Sequence, residues 1–213
     1  MLNHTKRYYI EATYEILRTN GLDGFSIRNV AKKVGCASSV LYRHFKDMDH
    51  LLTLGSIRFL RDYIIEAGEI EALELDPISM TMRLWECFAR YAFSNIPIFE
   101  RLFFEENVEK VQECILEYYE EFPIELENIG NNLQVMMTSS DVEQREYTIL
   151  KQAVAAGQIS ETDAQMLVKT DNYLFRGMLQ KYRKVPVDLA DWDFVKRTTE
   201  EYISMLRYAR ERL

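Results

Sequence analysis

The sequence predicts an all-α protein in which a small N-terminal three-helix unit is followed by a larger helical domain. Three observations carry this expectation. Only four prolines and eight glycines punctuate 213 residues, and the chain between them is dense in Glu, Leu, Tyr and Met, which favours long helices over a sheet of many turns. Apolar residues recur at three- and four-residue spacing, the period of a helix face. Ser, Asp and Gly stand where those periodic segments start and stop, as helix caps do. No internal repeat, low-complexity stretch or convincing strand is legible.

The elements are taken in chain order. Residues 5–19 place Tyr9, Ala12, Ile16 and Leu17 on one face, and Asn20-Gly21 ends that helix. Ser26 caps a second helix carrying Ile27, Val30, Ala31 and Val34, and Gly35 closes it. After a short turn, Ser38 or Ser39 caps a third helix over Val40 to His44, with Leu41 and Phe45 four apart on its inner side. Two short helices around a glycine turn form a helix-turn-helix. Asp47 then caps a linking helix that is expected to run to about Leu73, and Asp76-Pro77 opens a fifth helix with Leu84, Trp85, Phe88 and Tyr91. Pro97 and Pro123 punctuate the chain beyond that helix. Asp141 opens a helix that stops at Gly157, Ser160 opens another that reaches about Tyr182, and Pro186 interrupts the pattern before Asp191 caps the last helix. The expected division is residues 1–47 for the small unit and 48–213 for the helical remainder.

The charge is unevenly placed. Residues 1–50 contain eight basic and five acidic residues, a balance of +3 within a chain whose net charge is −8, which leaves −11 for the rest. The N-terminal unit is therefore the surface suited to a polyanion. No run of about 18 apolar residues occurs, and Met1 to Arg7 lacks the apolar centre of a signal peptide, so the expectation is a cytoplasmic protein with no membrane segment. Cys36, Cys87 and Cys114 are widely spaced thiols that suit a reducing compartment and lack zinc-site spacing. His44, Asp47, Asp49 and His50 lie close in sequence, but a helix cap and phosphate contacts account for these residue types without a metal. No Gly-rich phosphate loop, nucleophile elbow or metalloprotease motif is present, so neither an enzyme nor a cofactor is expected.

Gly24-Phe25-Ser26-Ile27-Arg28-Asn29-Val30-Ala31-Lys32-Lys33-Val34-Gly35, followed by Leu41-Tyr42-Arg43-His44-Phe45-Lys46, resembles the DNA-binding domain of the TetR family of transcriptional regulators. The physical reading agrees: the second helix braces against backbone while residues 38–43 enter a major groove. Candidate DNA contacts are Ser26, Arg28, Ser38, Ser39, Val40, Tyr42, Arg43, His44 and Lys46, with Arg28 suited to a guanine or a phosphate and Tyr42, His44 and Lys46 placed at the groove edge. The turn departs from the usual family pattern, because Ala37 and Val40 stand where the family often has hydroxyl residues. Val40 offers methyls to a thymine instead.

The resemblance implies a helical effector-binding and dimerisation domain, a homodimer, a pseudo-palindromic operator in double-stranded DNA and release by a small-molecule effector. Trp85, Phe88, Tyr91, Phe103, Phe104 and Tyr118 are the candidate lining of an effector cavity. Leu167, Leu174, Met178, Tyr202, Met205 and Leu206 form apolar stripes on the last two helices and are the candidate dimer interface, paired as a four-helix bundle. The other reading is a TetR-like helical protein without a small-molecule pocket that acts through protein contacts.

Overall fold

The computed structural model describes residues 5–104, 108–126, 130, 133–134, 138–185 and 191–211. Among them are helices and no strand. Helix α1 spans Lys6–Asn20, and Gly21 stops it at φ 65° while its N–H bonds back to the Leu17 carbonyl. Helix α2 spans Ile27–Val34, opened by the Ser26 hydroxyl, which accepts from the Asn29 N–H at 3.1 Å, and closed by Gly35 in the left-handed region at φ 73°. Both positions need a residue that tolerates positive φ, so glycine is the residue that fits there.

Helix α3 differs from the sequence expectation. It spans Ser38–Leu41, with Ala37 as its extended N-cap and no side-chain capping bond. Neither Ser38 nor Ser39 is the cap, because Ala37 already occupies the extended position and the Val40 N–H bonds to its carbonyl at 2.9 Å. Tyr42, Arg43 and His44 then form a turn beyond the helix.

The linking helix is also not uniform. Helix α4 spans Met48–Ile57, capped by Asp47, which accepts from the His50 N–H at 2.7 Å; a 3₁₀ turn over Arg58–Leu60 leads into α5, Arg61–Glu71. A tightened turn inside a long helix marks a change of axis that the apolar period alone does not disclose. Where α4 crosses α1, a Cβ on Gly55 would lie 2.4 Å from Thr13 Cγ2, so only glycine permits that approach. The division expected at residue 47 falls on this cap, and α4 packs on both parts, against α1 on one side and the later helix Val108–Glu121 on the other.

Helix α6 spans Pro77–Ser94, with Asp76 accepting from Ile78 and Ser79 N–H at 3.1 Å each and Pro77 in its first turn. Pro97 lies in the first turn of α7, Ile96–Phe103, and α8 spans Val108–Glu121, with Pro123 opening a 3₁₀ turn after it. Helices α9 (Val142–Ala155), α10 (Glu161–Tyr182) and α11 (Trp192–Arg210) begin at the capping side chains of Asp141, Ser160 and Asp191. Gly157 ends the α9 segment at φ 69°. Pro186 lies outside the described residues.

The body is organised around Phe175 of α10, which is fully buried. Its ring centroid lies 5.2 Å from those of Trp85 and Phe88, 5.4 Å from Tyr202, 5.7 Å from Phe93 and 5.8 Å from Phe104. Tilted and edge-on rings at this separation add specific geometry to area burial. Among the described residues, no helix is long and apolar enough to cross a membrane.

Candidate nucleic-acid interface and regulatory cavity

The head is built so that its apolar side locks and its polar side stays open. Ile27, Val30, Ala31, Val34, Leu41 and Phe45 are buried against Tyr9, Ile10 and Leu17 of α1. Arg28, Ser39, Tyr42, Arg43 and Lys46 are left exposed, Ser38 is half-buried, and Tyr42 presents 58% of its surface. Three of the named candidates are partly engaged inside the head. Ser26 uses its hydroxyl to cap α2. His44 rests its ring 5.1 Å from that of Tyr9. Val40 packs its side chain against the core.

A charged seam joins the head and α4 to the body. His50 accepts from the Lys46 backbone N–H through Nδ1 at 3.1 Å, so Nε2 carries the proton that it donates to Glu117 Oε2 at 2.9 Å. The other Glu117 oxygen pairs with Lys6 of α1. Burial opposes ionisation of Glu117, but the bonds from Lys6 and His50 outweigh it and hold its carboxyl below the usual range. Asp49 behaves alike: burial works against it, and Lys110 and Arg101 bring it down. Further along, Arg58 pairs with Glu125 while its guanidinium lies 5.1 Å from the Phe122 ring. Sequence reading missed this seam because its partners lie 52 to 111 residues apart.

Within the body, a cavity of about 30 Å³ is lined by Tyr63 of α5, by Thr81, Leu84, Trp85 and Phe88 of α6, and by Val142, Arg145, Glu146 and Ile149 of α9. Trp85 and Phe88 are thus the named candidates that face it. The others are engaged elsewhere. Tyr91 donates to Glu66 at 3.1 Å, and Phe103 is buried with the Arg145 guanidinium 4.8 Å from its ring. Phe104 packs on Phe175, and Tyr118 is stacked on Phe122 at 4.6 Å while donating to Glu125 in the seam.

Beside the cavity lies a buried ionic cluster. Arg210, near the end of α11, donates to Asp171 of α10 at 3.0 Å through Nε, to Glu146 at 2.9 Å through Nη2, and to Thr81 Oγ1 at 2.8 Å and the Ile78 carbonyl at 3.3 Å through Nη1. Burial first, and then the neighbouring Asp171 carboxylate, raises the Glu146 carboxyl well above the usual range. Glu146 Oε2 is buried and has no hydrogen-bond partner among the described residues. One signal of this cluster was legible: Glu146 shares a helical face with Val142, Ile149 and Ala153, and Asp171 shares one with Leu167, Phe175 and Met178, so acids occupy core positions of apolar stripes.

Packing within one chain engages the side chains of the expected dimer stripe. Met178, Tyr202 and Leu206 are buried in the core of one chain, and Leu167 joins a second small cluster with Leu150, Ala164 and Val168. Leu174 and Met205 are half-buried against the core. These side chains already fill the space between helices of one chain and have little surface left for a second copy. The apolar groups these helices expose are Met166, Tyr173, Trp192 and Tyr208, at 47 to 66%.

Two short helices around the Gly35 turn, closed on their apolar side and open on a basic face, define a helix-turn-helix domain carried on a helical body. Residues 10–53 match the family model described as bacterial regulatory proteins, tetR family. No curated protein matches the chain significantly. Solved structures share its fold. Thermus thermophilus FadR, a TetR-family transcriptional repressor in complex with lauroyl-CoA, is 13% identical with a TM-score of 0.58, over 95% of this chain and 93% of that one. SmeT, the repressor of the Stenotrophomonas maltophilia multidrug efflux pump SmeDEF, is 17% identical with a TM-score of 0.51, over 97% and 90%. The TetR-family regulator PfmR from Thermus thermophilus is 20% identical with a TM-score of 0.50, over 93% and 96%. The chain thus matches the tetR-family model over its N-terminal head and shares the fold of these TetR-family structures along its length.

Proposed function

We propose that this chain is a ligand-responsive repressor that binds a pseudo-palindromic operator as a homodimer and releases it when a small-molecule effector enters the body. The observation that carries this reading is the open face formed by Arg28, Ser39, Tyr42, Arg43 and Lys46 on a head whose apolar side is closed. Cations and hydroxyl donors on one face supply phosphate contacts, and Arg28 and Ser39 stand where a groove edge would be read. Ser26 and His44 act mainly by positioning, one as cap and one as ring support. The seam on Glu117 and Asp49 gives a displacement of α8 or α7 a route to α4 and the head.

Dimerisation in this reading uses the outer faces of α10 and α11, with Met166, Tyr173, Trp192 and Tyr208 as the apolar contacts. Gly177, where an added Cβ would meet nothing within 4 Å, leaves room on that face for a close helix crossing. The cavity's small volume favours one second reading, a regulator that has lost its effector pocket and responds to a protein partner. The test is fluorescence anisotropy against DNA flanking its own gene, with mass by sedimentation. A dimer that binds one fragment specifically, with affinity falling steeply with salt and lost in Tyr42→Ala and Lys46→Ala, is the expected result. A monomer, or a folded protein with no sequence preference at low salt, would sink the reading.

A further inference from the structure

Two features of the body point to the chemistry of the effector. The cavity beside Trp85 has a polar end, where Arg145 and Glu146 form the wall, and the Glu146 oxygen left without a partner is on a side chain only 4% exposed. An unmet buried acceptor is costly, and a ligand that supplies a donor recovers that cost. A second cavity, of about 60 Å³, adjoins the first across Leu84 and Ile149, which line both. Its other walls are the apolar side chains of Leu75, Pro77, Met80 and Leu133, with Glu71 and Gln152 completing the lining.

Desolvation and the neutral form of Glu146 select the head group. The polar wall and the layer behind it contain two guanidinium groups, Arg145 and Arg210, and two carboxyls, Glu146 and Asp171. With Glu146 neutral, an ammonium ligand would add a third cation beside Arg145 and Arg210, and a carboxylate ligand would stand as a second bare anion beside Asp171. Either charge would also leave water for a buried site, which costs more than moving a neutral dipole. A raised Glu146 carboxyl fits this arrangement, because a neutral acid both donates and accepts and so pairs with a group that does the same.

We propose that the effector is a neutral amphipathic molecule whose carboxamide-like head seats between Glu146 and Arg145 and whose apolar tail crosses Leu84 and Ile149 into the second cavity. This assignment rests on the effector-responsive reading above. As packed, the first cavity holds a group the size of about two waters. The tail therefore enters by moving the Leu84 and Ile149 side chains apart.

The test uses three probes with the same six-carbon chain: hexanamide, hexanoate and hexylammonium. Each is titrated into the full chain carrying Trp192→Phe, which leaves Trp85 as the sole tryptophan, with Trp85 emission and thermal midpoint as readouts. Hexanamide is expected to bind about tenfold more tightly than either charged probe, the worth of a hydrogen bond to a buried group. Glu146→Gln should keep that preference and Glu146→Leu should abolish it. Ile149→Ala, which joins the two cavities without touching the polar cluster, should favour octanamide over hexanamide. Equal or tighter binding of hexanoate or hexylammonium overturns the proposal, and so does a folded protein whose Trp85 emission none of the three alters at millimolar concentration. Operator binding is measured in parallel. A chain that takes hexanamide yet keeps its DNA refutes the release mechanism while leaving the head-group assignment standing, and a chain that binds and releases DNA with another ligand class does the reverse.

Discussion

In the head, Ser26 and Asp47 each bond to an N–H three residues on, whereas in the body Arg210 reaches back 39 residues to Asp171, 64 to Glu146 and 132 to the Ile78 carbonyl. The head is therefore held in shape largely by local caps and one small apolar face. It can be rigid and still carry an open polar side. The body depends on side chains meeting across the whole chain, with rings around Phe175 and four ionisable groups taken out of water. The proposed effector response requires that such a region have a second packing close in free energy to this one.

Breaking the body should cost most. Arg210→Ala leaves Glu146 and Asp171 buried without their cation, and a loss of about 3–5 kcal/mol in urea unfolding is expected. A loss below about 1 kcal/mol would mean that the cluster is better hydrated than its burial indicates. Leu41→Ala opens a hole under the reading turn; about 2–4 kcal/mol is expected. If head and body unfold separately, that loss appears only in the first transition, which circular dichroism and Trp85 emission would separate. Ser26→Ala removes the α2 cap and should cost about 1 kcal/mol, with DNA affinity reduced through the position of Arg28.

The pH response sharpens the contrast through its sign. Glu117 and Asp49 sit below the usual carboxylate range, so the folded seam holds fewer protons than the unfolded chain and loses stability as pH falls through their folded values. Glu146 sits above that range, so the folded cluster holds a proton that the unfolded chain has released. Its contribution is present in acid and is lost as pH rises toward the folded value. Glu117→Gln should therefore flatten the acid loss of stability and Glu146→Gln should not, as read from urea midpoints between neutral and mildly acidic pH. The smallest stability change, within about 0.5 kcal/mol, is expected for the exposed Tyr42→Ala. Its effect should appear in operator affinity alone, and a matching loss of thermal stability would show that the ring supports the head.

Sequence by itself determined the start of most helices, because a cap is a local bond: Ser26, Asp47, Asp76, Asp141, Ser160 and Asp191 each accept from backbone N–H groups two or three residues on. It also determined the inner face of the head, since Ile27, Val30, Val34 and Leu41 follow a period that one small core can satisfy. Tertiary structure decided what depends on meeting a distant partner. It turned the stripe of Met178, Tyr202 and Leu206 inward and left Tyr173 and Trp192 outside, and it placed Tyr118 in the seam with Arg58 and Glu125. It also gathered Glu146, Asp171 and Arg210 at one point. Periodicity marks which face of a helix is apolar, but the same pattern serves a core, a cavity wall or a second copy of the chain, and only packing distinguishes them.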